Sequence, residues 1–173
     1  MFHLLENRLQ LHQRVAAYLA GGAAVHLYTG VRATVDIDVE YGARIVLPDD
    51  IITTVTEESG RQYSLHFDAT YNPMLGVMHE DYQQDALPLD IGLKMLDLRI
   101  LKPVDLVVSN IARLADNDAK DIFDLVQAGC TNAAEIERRA RPAIDACIGN
   151  KAEINLSDAL DIARSAESGH NAP

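Results

Sequence analysis

The chain alternates apolar and polar residues in some stretches and spaces them helically in others. Residues 34–40 show the clearest alternation. Val35, Ile37 and Val39 point one way, and Thr34, Asp36, Asp38 and Glu40 point the other, the pattern of a half-buried strand. Residues 63–69 set Leu65 and Phe67 against Ser64, His66 and Asp68. Residues 95–101 set Leu96, Leu98 and Ile100 against Asp97 and Arg99. A short strand is also expected at 43–47. Within the ambiguous stretch 75–91, Leu87, Leu89 and Ile91 alternate, and Pro88 confines them to a sheet edge.

Helical spacing governs the rest. Leu11, Val15, Tyr18 and Leu19 predict a helix over 4–19, which Gly21-Gly22 interrupts. A short helix over 23–29 ends near Gly30. Pro48-Asp49-Asp50 opens a helix to about Glu58, stopped by Ser59-Gly60, and Asn72-Pro73 marks a turn. From Pro103 the period is helical throughout. Thr131-Asn132 caps one helix, Pro142 kinks or restarts it, and Ser157 caps a last one to about Glu167. A loose tail follows from about residue 169. Strands therefore crowd residues 1–101 and helices fill 102–173. This predicts an α/β (α+β) chain, a sheet lobe followed by a C-terminal helical lobe.

Size and composition narrow the picture. At 173 residues and 48% apolar content, one domain with a real core is expected. No run of eighteen apolar residues suggests a membrane span, and Met1–Glu6 lacks a basic leader. Cys130 and Cys147 form neither a disulfide framework nor a zinc ligand set, so a cytoplasmic protein is expected. The net charge is −11, and both parts share it: seven bases against fourteen acids in 1–101, eight against twelve in 102–173. General DNA binding by electrostatics is thereby disfavoured.

The candidate chemistry lies in Gly21-Gly22 and Arg32-Ala33-Thr34-Val35-Asp36-Ile37-Asp38. Aspartates at i and i+2 on a strand share a face. Ionised together they repel, unless a cation joins them; Mg²⁺ or Mn²⁺ suits such oxygen ligands. Asp68 would complete the cluster if its strand lies beside 34–40, with Asp90 as the rival third carboxylate. Gly21-Gly22 precedes a helix N-terminus, where free N–H groups favour a phosphate. Blander readings suit other residues. His79-Glu80-Asp81 reads as a solvated loop and His26 as a packed or half-exposed histidine. Arg138, Arg139 and Arg141 read as a solvated helix face, and the two cysteines as small buried residues.

Gly21-Gly22, then Asp36-Ile37-Asp38, then Asp68 on a later strand resembles the nucleotidyltransferase superfamily signature. Leu101–Arg113 and Asp118-Ala119-Lys120-Asp121-Ile122 resemble the distal helices of AbiEii-type toxin nucleotidyltransferases; the likeness spans roughly 15–129. It implies a small mixed sheet flanked by helices, and transfer of a nucleoside monophosphate from a nucleoside triphosphate to a hydroxyl. By this resemblance Asp36, Asp38 and Asp68 hold metal, and Asp68 also helps deprotonate the acceptor. Gly21, Gly22, Arg32 and Thr34 would accompany the triphosphate, with Asn110 and Asp118 in the distal part of the site. The acceptor would be RNA, a protein or a small molecule, and a cognate antitoxin or toxin would be the partner. Asn110 stands where related toxins carry lysine. Lys102, Arg113 or Lys120 must then supply the charge, or the chain is an inactive binding or regulatory partner that keeps the fold.

Overall fold

A computed structural model describes residues 2–32, 34–46, 52–56, 62–68, 76–147 and 149–170. Among these the chain order is α1 (Phe2–Leu9), β1 (Val15–Leu19), α2 (Gly21–Thr29), β2 (Asp36–Tyr41), β3 (Ile52–Thr56) and β4 (Gln62–Asp68). Then follow α3 (Tyr82–Asp85), β5 (Leu87–Pro88), β6 (Leu96–Ile100), α4 (Pro103–Ile111), α5 (Asp116–Gln127), α6 (Ala133–Asp145) and α7 (Lys151–His170). The fold is mixed α/β, with the strand order β3-β4-β2-β1-β6-β5. β1 runs antiparallel to β2 and parallel to β6, while β2 runs parallel to β4. β3 pairs antiparallel with β4, and β5 with β6.

Two segments that read as helix are strands. Residues 4–19 split: α1 stops at Leu9, Gln10 takes a φ of 46°, and β1 begins at Val15. Val15, Ala17 and Leu19 are buried, whereas Ala16 and Tyr18 are half-buried. Apolar residues on both faces mimic helical spacing, but between β2 and β6 the segment hydrogen-bonds on both edges. The other segment is Ile52–Thr56, whose β-branched run pairs with β4 despite the Pro48-Asp49-Asp50 start signal. Residues 43–46 form no strand. Residue 47 and the expected features at 48–51, Ser59-Gly60 and Asn72-Pro73 lie outside the described residues.

The strands at 36–41, 62–68 and 96–100 fall where alternation put them, and β5 sits at the sheet edge with Pro88. Val35 is exposed rather than buried, because it precedes β2. Asn132 caps α6, its Oδ1 accepting from the Glu135 N–H at 2.9 Å, and α6 continues through Pro142 to Asp145. Ser157 does not start the last helix. α7 begins at Lys151 and packs Leu156, Ala159, Leu160 and Ala163 inward, so Ser157 lies within it. The helix reaches His170, and residues 171–173 lie outside the described set.

One continuous apolar cluster joins sheet and helices, from Leu5, Leu19 and Leu98 to Ile122, Ile136 and Leu156. Two polar fastenings reinforce it. Glu6 Oε1 accepts from the N–H groups of Lys94, Met95 and Leu96 at 2.9, 2.6 and 2.9 Å, tying α1 to the start of β6. Fully buried Asp105 on α4 takes a side-on pair from Arg139 of α6, at 2.7 Å from Nε and 3.0 Å from Nη2. Arg139 is thus a structural cation rather than part of a solvated face. No helix among the described residues is long and apolar enough to cross a membrane.

Candidate functional site

A cleft of about 570 Å³ opens where β2, the start of α2 and the α4–α5 turn converge. Gly21 and Gly22 line it from the start of α2, Asp36 and Asp38 from β2, and His66 from β4. Arg32 and Thr34 enter from the loop before β2, and Asn110, Arg113, Asn117, Asp118 and Asp121 from the helices.

Local chemistry places each group. Ile37 is buried, so Asp36 and Asp38 turn to the opposite face of β2, exposed and half-buried respectively. The Asp38 carbonyl accepts from the Ala20 N–H at 2.9 Å, which docks β2 against the start of α2. Gly21 has a φ of 56°, and a Cβ there would fall 1.8 Å from Asp38 Oδ2. Only glycine fits both this backbone and this contact. At Gly22 a Cβ would stand 3.3 Å from Arg32 Nε and from Thr34 Cβ. The Thr34 hydroxyl accepts from the Asp36 N–H at 3.2 Å and donates to the Asp36 carbonyl at 3.1 Å, fixing the entry to β2. His26 Nδ1 lies 2.7 Å from the Arg32 carbonyl, which explains that histidine without catalysis.

Both arginines meet carboxylates of α5. Arg32 Nε stands 2.9 Å from Asp121 Oδ1. Arg113 donates from Nε to Asp118 Oδ2 at 2.8 Å and from Nη2 to Oδ1 at 2.6 Å. Asp118 Oδ2 also accepts from the Ala115 N–H at 2.8 Å, inside the first turn of α5. The Asp118 bonds and charge raise the Arg113 pKa, and the charges of Asp38 and Asp121 add to this. Burial pushes the Asp121 carboxyl up, and the Arg32 charge opposes that. Four aspartates and two arginines give the described cleft a formal charge of −2. A polyphosphate entering it therefore needs a cation.

The sequence-predicted residues Gly21, Gly22, Arg32, Thr34, Asp36, Asp38, Asn110 and Asp118 all line this one cleft. Asp68 occupies the β4 position beside Asp38 in the parallel ladder, and its side chain lies outside the described residues. The rival Asp90 lies elsewhere, accepting from the Gly92 N–H at 3.2 Å. Of the three cations offered in place of a lysine, only Arg113 lines the cleft. Lys102 pairs with Asp85 and Lys120 with Asp124. Alternation had put His66 and Asp68 on one face without singling out His66, which pairs in register with Asp36. Nothing in the sequence marked Asn117. His79 belongs to a turn, its Nδ1 accepting from the Asp81 N–H at 3.2 Å. Cys130 is half-buried and Cys147 exposed, so neither is the buried apolar residue expected.

No group of three or more His, Cys, Asp or Glu that could hold a metal occurs among the described residues. The cleft nevertheless fits Mg²⁺ or Mn²⁺ by its donor chemistry. Mg²⁺ commonly takes one or two carboxylates and completes its shell with water and substrate phosphate. Asp36 and Asp38 are such a pair.

Residues 2–166 match the family described as nucleotidyltransferase of unknown function (DUF6036). The chain belongs to this family. The match covers sheet and helices alike, so the cleft and both arginine–aspartate pairs lie within it. No curated protein and no solved structure matches the chain.

Proposed function

We propose that this nucleotidyltransferase-family chain transfers a nucleoside monophosphate from a nucleoside triphosphate to a hydroxyl acceptor. The observation that carries the reading is the seating of the Asp38 carboxylate against Gly21, at the N-terminus of α2. It puts a carboxylate pair beside a helix start, the two features a metal-bound polyphosphate needs.

Asp36 and Asp38 would hold Mg²⁺ or Mn²⁺, with Asp68 as the third ligand implied by the resemblance. The ion would neutralise phosphate charge and polarise the reacting oxygens. The N–H groups at Gly21 and Gly22 face the phosphates, and Arg113 supplies the cation that Asn110 does not. The acceptor oxygen attacks the α-phosphorus, the bond to the bridging α–β oxygen breaks, and pyrophosphate leaves with the electron pair. The hydroxyl proton passes to a carboxylate, Asp68 in this reading.

A chain of net charge −11 favours a protein or small-molecule acceptor, or an RNA held by few contacts. A toxin or phage-defence role, with a cognate antitoxin, rests on the AbiEii-type resemblance of the distal helices. Cytoplasmic location rests on the cysteine usage. The second reading, an inactive binding partner, is favoured by the uncharged Asn110 at the cleft wall.

Calorimetric titration with each nucleoside triphosphate, with and without Mg²⁺ or Mn²⁺, tests the proposal. Wild type should bind in a metal-dependent way, and the Asp36→Ala/Asp38→Ala double variant should not. Binding without turnover on any acceptor would favour the inactive partner. Absence of binding by folded protein would remove the transferase reading.

A further inference from the structure

We propose that Asp118 is a positioning residue, which aims the Arg113 guanidinium at the polyphosphate of an incoming nucleotide. The assignment rests on the transferase reading of the cleft. A guanidinium has a side edge bearing Nε and one Nη, and an end edge bearing both Nη atoms. Asp118 takes the side edge, through Nε at 2.8 Å and Nη2 at 2.6 Å. Among the described residues the Arg113 guanidinium makes no hydrogen bond or ion pair other than those to Asp118, so the end edge is available. The side chain is 73% exposed and lines the cleft, whereas Asp118 is 3% exposed. A planar fork of this kind can hold a carboxylate on one edge and a phosphate on the other.

The pair is held from both sides. Asp118 cannot follow a moving arginine, because its Oδ2 also accepts from the Ala115 N–H at 2.8 Å. Arg113 is followed by Leu114, a non-glycine residue at a φ of 49°, whose N–H donates to the Asn110 carbonyl at 2.8 Å. Left-handed backbone at leucine is unfavourable and persists only where its surroundings enforce it. Long, flexible Arg113 is thus ordered before any ligand arrives, which removes part of the entropic cost of binding. Asp121, about one turn further along α5, stands against Arg32 from the loop before β2, so one helix registers both cations.

A double-mutant cycle separates this role from simple capping of α5. Binding of the magnesium complexes of ATP, GTP, CTP and UTP is measured by calorimetry on the full chain. The proteins are wild type, Arg113→Gln, Asp118→Asn and the double variant. Asparagine keeps an oxygen for the Ala115 N–H. Arg113→Gln should weaken the best nucleotide roughly 10–100-fold, as expected for hydrogen bonds to charged groups. Asp118→Asn should weaken it less, and the double variant should be no weaker than Arg113→Gln. Arg113→Lys leaves α5 untouched and keeps the charge, yet should lose nearly as much as Arg113→Gln. Additive losses, unchanged binding in Arg113→Gln, full retention in Arg113→Lys, or tighter binding in Asp118→Asn would each overturn the assignment alone. Absence of any binding by wild type would overturn the cleft reading and this assignment with it.

Discussion

Replacing Gly21 by alanine should be far more damaging than replacing its neighbour Gly22, and the structure sets the scale of the difference. Gly21 has a φ of 56°, where an L side chain costs about 1–2 kcal/mol. The added Cβ would also fall 1.8 Å from Asp38 Oδ2, inside the carboxylate's own van der Waals envelope. Separating the two requires a shift of about 1.5 Å, and such overpacking typically costs about 1–3 kcal/mol. Together these give about 2–5 kcal/mol, or a melting temperature lower by at least about 4 °C for a chain of this size. At Gly22 the nearest atoms would be 3.3 Å away, so neighbours need give only slightly. Alanine is also the better helix former, so Gly22→Ala should stay within about 1 kcal/mol of wild type. Thermal melts of the three proteins measure the difference. Calorimetric binding of the magnesium nucleotides measures whether moving Asp38 disables the cleft. If Gly21→Ala melted with wild type and Gly22→Ala, the contact between α2 and the Asp38 carboxylate would be wrong. If Gly21→Ala were destabilised but bound nucleotide as wild type does, the carboxylate would not serve the site.

Other perturbations test the framework around the cleft. Arg139→Ala should destabilise by about 3–5 kcal/mol in chemical denaturation, because it leaves fully buried Asp105 without its bidentate partner. The double change Asp105→Leu/Arg139→Met should restore much of that loss. If the single variant instead unfolded at the wild-type midpoint, that buried pair would not be what joins α4 to α6. Glu6 gives a signed pH dependence. Burial alone would raise its carboxyl, but the N–H groups of Leu96, Met95 and Lys94 hold it below the ordinary 4.5. The ionised form is therefore favoured in the fold, so its stabilisation is present above 4.5 and lost as pH falls through the lower folded value. Glu6→Gln should flatten the acid limb of a stability-against-pH curve, and an unchanged limb would refute the fastening. Asn132→Ala should cost about 1 kcal/mol by removing the α6 cap, seen as a melting temperature lower by about 2–4 °C.

The sequence alone determined what depends on near neighbours. Period-two alternation put Asp36 and Asp38 on one face with Ile37 beneath, because successive side chains on a strand oppose each other whatever the strand pairs with. It marked Asn132 as a cap, Pro88 as an edge residue and Gly21-Gly22 as the approach to a helix, which in fact starts at Gly21 rather than at residue 23, each by chemistry confined to a few bonds. It misjudged residues 15–19 and 52–56, where apolar spacing fits either period and the choice belongs to the partner strands. Only the tertiary structure decided that β4 lies parallel to β2, bringing His66 and Asp68 into register with the aspartate pair. It also decided that Arg113, rather than Lys102 or Lys120, reaches the cleft, and that α5 meets both of the cleft's arginines. Those outcomes follow from burying one apolar cluster shared by sheet and helices, which fixes the distance between groups far apart in the chain. No local pattern carries that information, because the burial of each element depends on surfaces supplied by all the others.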